Sequence, residues 1–246
     1  MKTMIITGAS RGIGAATALA AAKHGYAVVV NYRSDAAAAA RVVDEIVKAG
    51  GTAISVMADV SSETGVSELF EQTKTELGVP AVLVNNAGIL ETGPIDSIDA
   101  ARLHRVFELN VFGAFYCARE AVRVMSTAHG GNGGAIINVS SVAAKLGSPN
   151  EYIDYAASKG AIDTMTVGLA KEVAEQGIRV NAVRPGVIYT EIHASGGEPD
   201  RVDRVSPSVP MKRGGEANEI AAAILWLASD EASYCTGSFI DVSGGR

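Results

Sequence analysis

The sequence alternates short apolar runs rich in β-branched residues with longer helix-like segments, and this alternation constrains the fold more than any other feature. The first three runs lie at 3–7, 27–32 and 53–59. They show little alternation of polar and apolar residues, which is typical of strands that helices cover on both faces. We therefore predict an α/β fold with a doubly wound parallel sheet of about seven strands.

The later segments follow the same pattern, and only one long stretch lacks it. Residues 187–213 show no strand or helix period, and a loop of that length in a compact domain is often a functional lid. No linker or repeat divides the chain, so we predict a single domain over residues 1–246. Further strands are predicted at 81–86, 135–141, 178–186 and 238–242, and long helices at about 98–127 and 153–176.

Composition and charge exclude several classes of function. The formal net charge of −6 at pH 7 argues against binding to nucleic acid or to an anionic membrane. The four histidines and two cysteines show no metal-ligand spacing, so we expect no metal site. The first apolar run is too short for a signal sequence, and no stretch has membrane-spanning length. We expect a soluble, cytoplasmic protein.

The first predicted strand is followed by a glycine-rich segment, TGASRGIG at 7–14. Gly8 permits a tight turn, Gly12 lets the backbone approach a phosphate, and Gly14 allows close packing of the next helix. The N-terminus of that helix offers free N–H groups and a positive dipole to an anion. A glycine-rich turn without a ligand is the competing interpretation, but the position after strand one favours a nucleotide site.

Polar residues also follow three other predicted strands. Asp59 ends the third strand, the segment NNAG at 85–88 ends the fourth, and Ser140 and Ser141 end the fifth. Ligands of doubly wound sheets bind outside the carboxyl ends of the strands. We therefore expect these residues to lie along one ligand-binding edge of the sheet.

The segment YIDYAASKG at 152–160 contains two tyrosines and one lysine. Tyr155 and Lys159 lie one helical turn apart on the same face, whereas Tyr152 is about 10 Å along the axis from Lys159. A neighbouring cation favours the phenolate, which would let a tyrosine exchange protons near neutral pH. Tyr155 is therefore the predicted acid–base residue, and Tyr152 is expected to line a pocket or start the helix.

In this order the motifs resemble those of the short-chain dehydrogenase/reductase family in its one-domain form, over essentially the whole chain. The resemblance implies a Rossmann fold and hydride transfer between a nicotinamide ring and a substrate carbon. It rests on TGASRGIG, NNAG, Asn110 in ELNVFG, the serine pair, Tyr155-x-x-x-Lys159, RPG at 184–186 and the tail TGSFIDVSGG.

The resemblance also implies roles for individual residues. Tyr155 would be the general acid in reduction and the general base in oxidation. Lys159 would hold the nicotinamide ribose and lower the pKa of Tyr155, and Asn110 would support a water chain behind the lysine. Ser141 would bind the substrate oxygen, although a serine–tyrosine segment one residue longer than is common leaves Ser140 open. The implied cofactor-binding residues are Gly8, Ser10, Arg11, Gly12, Ile13, Gly14, Tyr32, Arg33, Asp59, Val60, Asn86, Ala87, Gly88, Tyr155, Lys159, Pro185, Gly186, Ile188 and Thr190.

The end of the second predicted strand, VVVNYRSD, bears on the choice of cofactor. Members of the family that prefer NAD place an acidic residue there, which binds the ribose hydroxyls. Here that position is Tyr32, Arg33 follows it, and Arg11 lies on the same side of the adenosine site. Two guanidinium groups bind a phosphate through charge-assisted hydrogen bonds, and Asp35 is expected to cap the next helix. We predict NADP(H) rather than NAD(H).

The leading prediction is an NADP-dependent oxidoreductase that interconverts an alcohol and a carbonyl on a small polar substrate, such as a sugar. The polar composition of 187–213 favours it, and His193 within that stretch is expected to be solvent-exposed. A 3-oxoacyl-[acyl carrier protein] reductase is the first alternative, but the helix ends HGGNGG and EVAEQG lack the basic residues that an acidic partner needs. A non-catalytic nucleotide-binding sensor is the second, and the presence of Tyr155 and Lys159 argues against it.

Assembly is predicted from the resemblance as well. Family members commonly form tetramers through the long helices on either side of strand five and through the C-terminal segment. Here those helices carry the small residues Ala114, Ala118, Ala161 and Gly168, and the tail FIDVSGGR is apolar. We predict a homotetramer with two-fold axes.

Overall fold

The seven strands of the computed structural model, which describes residues Met1 to Arg246, form one parallel sheet. Their spatial order is β3-β2-β1-β4-β5-β6-β7, so the chain starts at the centre and reverses direction between β3 and β4. This confirms the predicted doubly wound α/β fold. The strands are β1 Thr3–Ile6, β2 Ala27–Tyr32, β3 Thr52–Met57, β4 Pro80–Asn85, β5 Gly134–Val139, β6 Ile178–Pro185 and β7 Phe239–Val242.

Ten α-helices connect and cover the strands. The chain contains no helix with the length and apolarity that crossing a membrane requires. The helices are α1 Gly12–Lys23, α2 Ala36–Lys48, α3 Glu63–Leu77, α4 Ala100–Phe107, α5 Ala114–Met125, α6 Ala143–Leu146, α7 Ile153–Val173, α8 Ile192–Ser195, α9 Arg201–Val205 and α10 Ala217–Ala228.

Each face of the sheet has its own apolar core. Met4 and Ile6 of β1 pack on one face in a cluster that includes Ile224 of α10. Ile5 lies between them in the sequence and packs on the other face, in a cluster that includes Leu69 of α3. All five side chains are fully buried, and burial of each contributes about 1.5–3 kcal/mol to stability. The continuous apolar runs of the sequence reflect this two-sided burial.

The structure corrects the sequence prediction at three places. The helix predicted over 98–127 is divided by a π-helical turn, Glu108–Gly113, that contains Asn110. The stretch 187–213 is not wholly irregular, because it contains α8 and α9. Strand β5 ends at Val139, so the serine pair follows the strand instead of ending it. Such π turns accommodate one extra residue in a helix and often occur at functional sites.

Candidate active site

A cavity of about 780 Å³ lies outside the carboxyl ends of the strands, where the chain reverses direction across β1 and β4. Its size is typical of small-molecule sites, and its position is the usual one for ligands of doubly wound sheets. All of the predicted site residues line this cavity except Gly14 and Asn110. The fold thus brings the predicted glycine turn and the predicted acid–base residues to one continuous cleft.

The glycine turn after β1 has the geometry that a phosphate cradle needs. Gly8 has a φ of +61°, and a Cβ there would lie 3.0 Å from the Cα of Ala87. Gly14 lies in the first turn of α1, where a Cβ would lie 2.5 Å from the carbonyl oxygen of Gly8. Side chains at either position would displace the turn, so both glycines keep the N-terminus of α1 open to the cavity. The turn therefore fits a dinucleotide pyrophosphate.

Two polar residues hold this turn against its neighbouring strands. The Thr7 hydroxyl accepts hydrogen bonds from the backbone N–H groups of Asn86 and Ala87, at 3.0 and 2.9 Å. The Asn86 amide donates to the carbonyls of Thr7 and Gly8, at 2.8 and 3.1 Å. In the protein alone, Asn86 is thus a support for the glycine turn. Its backbone remains beside the cavity.

The sequence analysis missed Asn31, which lines the same cavity. Its side-chain oxygen accepts a hydrogen bond of 3.2 Å from the N–H of Gly8, and its amide donates to Val56 and Ala58. One buried asparagine therefore joins the glycine turn to the ends of β2 and β3. The available signal was a polar residue inside the apolar strand VVVNY, since a buried amide requires partners.

The adenosine end of the cavity contains two arginines together with the carboxylates of Asp35 and Asp59. Arg11, Tyr32 and Arg33 all line it. Neither arginine forms an ion pair with a carboxylate of the protein. Asp35 caps α2 by accepting a hydrogen bond of 2.9 Å from Ala38, as the sequence predicted. The two guanidinium groups are therefore available to an anion.

At the other end, Tyr155 lies in the first turn of α7 and is buried. Its ring packs edge-on against Tyr152, with 5.4 Å between the ring centroids. Burial raises the pKa of Tyr155 above its ordinary value, and the hydrogen bond with the Ser141 hydroxyl acts in the opposite direction. The sequence predicted a phenol made acidic by Lys159, but in the protein alone burial dominates and the phenol stays protonated.

Lys159 lies one turn further along α7 and is also buried. Its Nζ is 5.6 Å from the centroid of the Tyr155 ring and donates a hydrogen bond of 2.8 Å to the carbonyl of Val139. Burial lowers the pKa of Lys159 to about 8, against the opposing charge of Asp163. Gly88 of the NNAG segment lies beside Lys159, because a Cβ there would lie 3.6 Å from Nζ.

Asn110 is buried behind Lys159, in the π-helical turn. Its amide donates to the carbonyl of Ile89 at 2.9 Å and to the hydroxyl of Ser158 at 3.1 Å. Its oxygen accepts from the N–H of Ile89 at 2.9 Å. In the protein alone Asn110 therefore fixes the segment after NNAG against helix α7.

The two serines that follow β5 have different partners. The Ser140 hydroxyl donates a hydrogen bond of 2.6 Å to Asp163, which also forms an ion pair of 2.8 Å with Arg184. The Ser141 hydroxyl accepts from the N–H of Ala143 at 3.1 Å. Because an oxygen that accepts can still donate its own proton, Ser141 can also bind a carbonyl oxygen in the cavity. The hydroxyl proton of Ser140 is therefore used within the protein, whereas that of Ser141 can be donated to a ligand in the cavity.

A buried ion pair fixes the start of helix α7 next to Tyr155. Arg102 of α4 contacts Asp154 through two hydrogen bonds, of 2.7 and 2.8 Å. Both side chains are almost fully buried, so removal of either would leave an uncompensated charge. This pair joins α4 to the first turn of α7.

The expectation of a solvent-exposed His193 was wrong. The residue lies in α8, lines the cavity and is 7% exposed. Its neighbour Ile192 packs against the apolar cluster that contains Tyr152 and Tyr155. This contact holds α8 against the start of α7. Residues 187–213 therefore form a wall of the cavity. The sequence did not indicate this position, because the stretch has no strand or helix period.

Comparison with known proteins gives matches along the whole chain. The profile of the family described as Enoyl-(Acyl carrier protein) reductase matches residues 8–246. The uncharacterized oxidoreductase YgfF of Escherichia coli strain K12 is 58% identical over 247 residues, which span 100% of both chains. Glucose 1-dehydrogenase 2 of Bacillus subtilis strain 168 is 40% identical over 99% of this chain and 94% of the relative. A 3-oxoacyl-[acyl-carrier-protein] reductase of Synechocystis is 39% identical over 98% of this chain and 95% of the relative.

A similar solved structure is that of the angucycline C-6 ketoreductase LanV with bound NADP. It is 34% identical, with a TM-score of 0.91, over 99% of this chain and 95% of that chain. The fold, the cleft and these similarities agree on an enzyme that binds a nicotinamide dinucleotide. The chain belongs to the short-chain dehydrogenase/reductase family of NAD(P)-dependent oxidoreductases.

Proposed function

We propose that the protein is an NADP-dependent oxidoreductase that reduces a carbonyl group on a small polar substrate, such as a sugar. The observation that carries this proposal is the position of Ser141, Tyr155 and Lys159 in one cleft with the glycine turn. A bound nicotinamide would supply the hydride in reduction and accept it in oxidation. The residues of the chain then have to hold the substrate oxygen and exchange one proton with it.

Each of the three residues has a distinct part in that exchange. The Ser141 hydroxyl donates a hydrogen bond to the carbonyl oxygen and fixes its position. The Tyr155 phenol gives its proton to the same oxygen as the hydride reaches the carbon, so the carbonyl becomes an alcohol. Lys159 provides positive charge near the phenolate that remains, and it would hold the nicotinamide ribose. Asn110 supports this group through Ile89 and Ser158.

The environment of Tyr155 determines its protonation state in the protein without cofactor. Burial holds the pKa of the phenol above its ordinary value, so the side chain carries the proton that a general acid must donate. Oxidation would require Tyr155 to begin as a phenolate. In the protein without cofactor, Tyr155 therefore carries the proton that a general acid donates.

The proposed preference for NADP rests on Arg11 and Arg33. Both line the adenosine end of the cleft and have no carboxylate partner in the protein, so a 2′-phosphate can bind them without breaking an ion pair. The ketoreductase LanV, which has a similar fold, was solved with NADP. The same cleft would accept NAD(H) more weakly, because it would leave both guanidinium groups without that phosphate.

A 3-oxoacyl-[acyl carrier protein] reductase is a second candidate, because a relative carries that name and α5 has two exposed arginines. The sequence predicted no basic residues at the ends of the helices before strands five and six. This holds for the loop HGGNGG, but Arg123 lies in the last turn of α5 and Lys171 lies in the last turn of α7. Arg119 pairs with Glu63 and Glu120, and Arg123 pairs with Glu120. These carboxylates neutralise much of the charge, which favours the small polar substrate.

We also propose that residues 1–246 act as one domain and that four copies assemble. The outer face of α5 and α7 supports assembly, because Phe115 is 49% exposed and Val167 is 37% exposed. Gly168 lies on this face, and a Cβ there would meet nothing within 4 Å. A surface of this kind on a single chain is typical of a contact between subunits.

The deciding experiment for the reaction is a panel of carbonyl compounds assayed with NADPH, by the loss of nicotinamide absorbance. It should contain small ketones, ketoses and an acetoacetyl thioester. Turnover of small hydroxylated ketones above the thioester is the expected result. Faster turnover of the thioester would favour the second candidate, and no turnover of any compound by a protein that binds NADPH would contradict the proposed reaction.

A further inference from the structure

Two buried nitrogen atoms in the wall of the cleft have no hydrogen-bond partner. They are Nε of Arg201 and Nδ1 of His193, in residues that are 1% and 7% exposed. Both residues line the cavity that holds Tyr155, and both belong to the stretch 187–213. A buried polar atom without a partner destabilises the protein, so a ligand that satisfies both atoms would recover free energy.

The other nitrogen atoms of Arg201 are fully explained by contacts within the protein. Nη1 donates to Glu198 at 2.9 Å, and Nη2 donates to Glu151 at 2.5 Å and to the Tyr152 hydroxyl at 2.6 Å. The guanidinium carbon lies 4.7 Å from the centroid of the Tyr152 ring, which itself packs against Tyr155. Tyr152 therefore contacts both Arg201 and Tyr155. Only the Nε–H group of Arg201 is left to donate a hydrogen bond to a ligand.

The charge of this region is already balanced. Arg201 and Arg204 pair with Glu151 and Glu198, which gives two positive and two negative groups. Burial, and after it the charge of Arg201, lower the pKa of His193, so its imidazole is neutral at pH 7. A carboxylate added here would be an uncompensated negative charge, which is costly in a buried place.

A hydroxyl group matches the two free nitrogen atoms better. Nε–H of Arg201 can only donate, whereas Nδ1 of a neutral imidazole donates or accepts according to its tautomer. A hydroxyl both donates and accepts, so it satisfies either nitrogen in either tautomer. A ketone oxygen can only accept, which makes it a poorer match for Nδ1 when that atom carries no proton.

We propose that Arg201 Nε and His193 Nδ1 form a subsite for a neutral hydroxyl group of the substrate, remote from the carbon that reacts at Tyr155. The substrate class is therefore a hydroxylated carbonyl compound without a carboxylate near this subsite. This inference rests on the proposed reductase function and narrows its substrate. Neither residue exchanges a proton with the substrate, and both determine specificity.

The test compares ketones that share one ring and differ only in a remote group. The probes are cyclohexanone, its 3- and 4-hydroxy derivatives, and 4-oxocyclohexanecarboxylate, each reduced with NADPH. We expect at least one hydroxy ketone to exceed cyclohexanone about tenfold in kcat/KM, mainly through a lower KM, as one satisfied pair of buried groups implies. The carboxylate should be the poorest substrate of the series.

Variants of His193 separate recognition from structure. His193→Leu should lower about tenfold the ratio of kcat/KM for the preferred hydroxy ketone to kcat/KM for cyclohexanone. His193→Asn places an amide close to the position of Nδ1 and should restore most of the preference. His129→Leu, at an exposed histidine outside the cavity, is the matched control and should change neither. Equal losses on both ketones in His193→Leu would overturn the proposal.

Arg201 is tested by a change that keeps its charge. Arg201→Lys can still pair with Glu151 and Glu198 but lacks Nε, so it should lower the ratio of kcat/KM for the hydroxy ketone to kcat/KM for cyclohexanone. Arg204→Lys, at the exposed partner of the same carboxylates, is the control. Melting temperatures of both variants report any loss of folding.

A binding measurement keeps this proposal separate from the proposed reaction. Saturation-transfer NMR compares cyclohexanol with cyclohexane-1,4-diol on the wild-type protein and on His193→Leu, with no turnover required. Tighter binding of the diol by the wild type alone supports the subsite even if no ketone is reduced, and that result would contradict only the reaction. Equal binding of the two alcohols by the wild type would overturn the subsite, whatever the enzyme reduces.

Discussion

The ammonium group of Lys159 donates a hydrogen bond of 2.8 Å to the carbonyl of Val139, the last residue of strand β5. The contact joins the middle of α7 to the strand that precedes Ser141, so one helix and one strand hold Tyr155, Lys159 and Ser141 in a fixed relation. It also keeps an ammonium group buried, where water no longer solvates it. Burial of this charged group lowers the free energy of unfolding, while the same contact positions residues of the candidate site.

Lys159→Met should stabilise the protein without cofactor and abolish turnover. Burial lowers the pKa of Lys159 from 10.5 to about 8, so at pH 7 the folded state bears the cost of a buried charge. After the loss of the hydrogen bond to Val139 is subtracted, a net gain of about 1–2 kcal/mol in the free energy of unfolding remains. Urea unfolding at pH 7 measures it.

The same variant should show its advantage only below a defined pH. Between pH 8 and pH 10.5 the unfolded wild-type chain binds more protons at this lysine than the folded protein does. The stability of the wild type therefore rises with pH across this window, and the advantage of Lys159→Met shrinks. Lys171→Met, at an exposed lysine of the same helix, should show neither effect. If Lys159→Met were less stable than the wild type at pH 7, burial of the Lys159 ammonium group would not lower the free energy of unfolding, and the prediction would be wrong.

Tyr155→Phe should lower turnover by about 10²–10⁴-fold, because it keeps the ring and removes the proton that the carbonyl oxygen receives. Cofactor binding, followed by fluorescence titration with NADPH, should change little. Tyr152→Phe is the comparison variant, since it removes a hydroxyl that contacts Arg201, and its loss should be much smaller and confined to KM. Near-normal turnover in Tyr155→Phe with a confirmed substrate would refute the acid–base assignment.

The two serines after β5 should respond differently to the same substitution. Ser141→Ala removes a donor to the substrate oxygen and should lower kcat by roughly 10–100-fold. Ser140→Ala removes the hydrogen bond to Asp163 and should lower the free energy of unfolding by about 1 kcal/mol with kcat nearly unchanged. Each variant is measured by both kinetics and urea unfolding. The reverse pattern would assign Ser140 to the substrate.

The wild-type enzyme should use NADP(H) at least tenfold more efficiently than NAD(H), about 1.4 kcal/mol in transition-state stabilisation. Arg33→Ala should erode this preference, mainly by raising the KM for NADP(H), because one guanidinium no longer reaches the phosphate. Arg41→Ala, an exposed arginine of α2 outside the cavity, is the control. Both cofactors are compared at subsaturating concentration, where equal efficiency or better turnover with NAD(H) would contradict the prediction.

Gly168→Glu should disrupt the proposed tetramer and leave the fold of each subunit intact. A side chain at Gly168 meets no atom of its own chain within 4 Å, but in the assembly it would place a charge between two copies of α7. Light scattering should show a tetramer for the wild type and smaller species for this variant. Ala40→Glu, on the exposed face of α2, should remain tetrameric. A monomeric wild type at micromolar concentration would refute the assembly.

The sequence alone determined the parts of this protein that depend on local pattern. Apolar runs such as AVVVNY can only be buried on both faces of a parallel sheet, which decided the fold class. Two further features depend only on local geometry. Turn geometry explains the glycines at 8, 12 and 14, and helix geometry places Tyr155 and Lys159, four residues apart, on one face. These features placed a nucleotide-binding turn and a candidate acid–base pair before any tertiary contact was known.

Tertiary structure decided the features that depend on contacts between distant segments. Ser140 and Ser141 are neighbours in sequence, and only the position of Asp163 on α7 gives them different partners. The position of Asn110 depends on a π-helical turn, and the periodicity of the sequence does not predict that turn. His193 and Arg201 belong to a stretch without a sequence pattern. Arg201 is buried where it contacts Tyr152, and His193 is buried beside Ile192, which packs against the cluster that contains Tyr152. Burial also reversed the expected effect on the pKa of Tyr155, because desolvation depends on everything packed around a group and not on the residue one turn away.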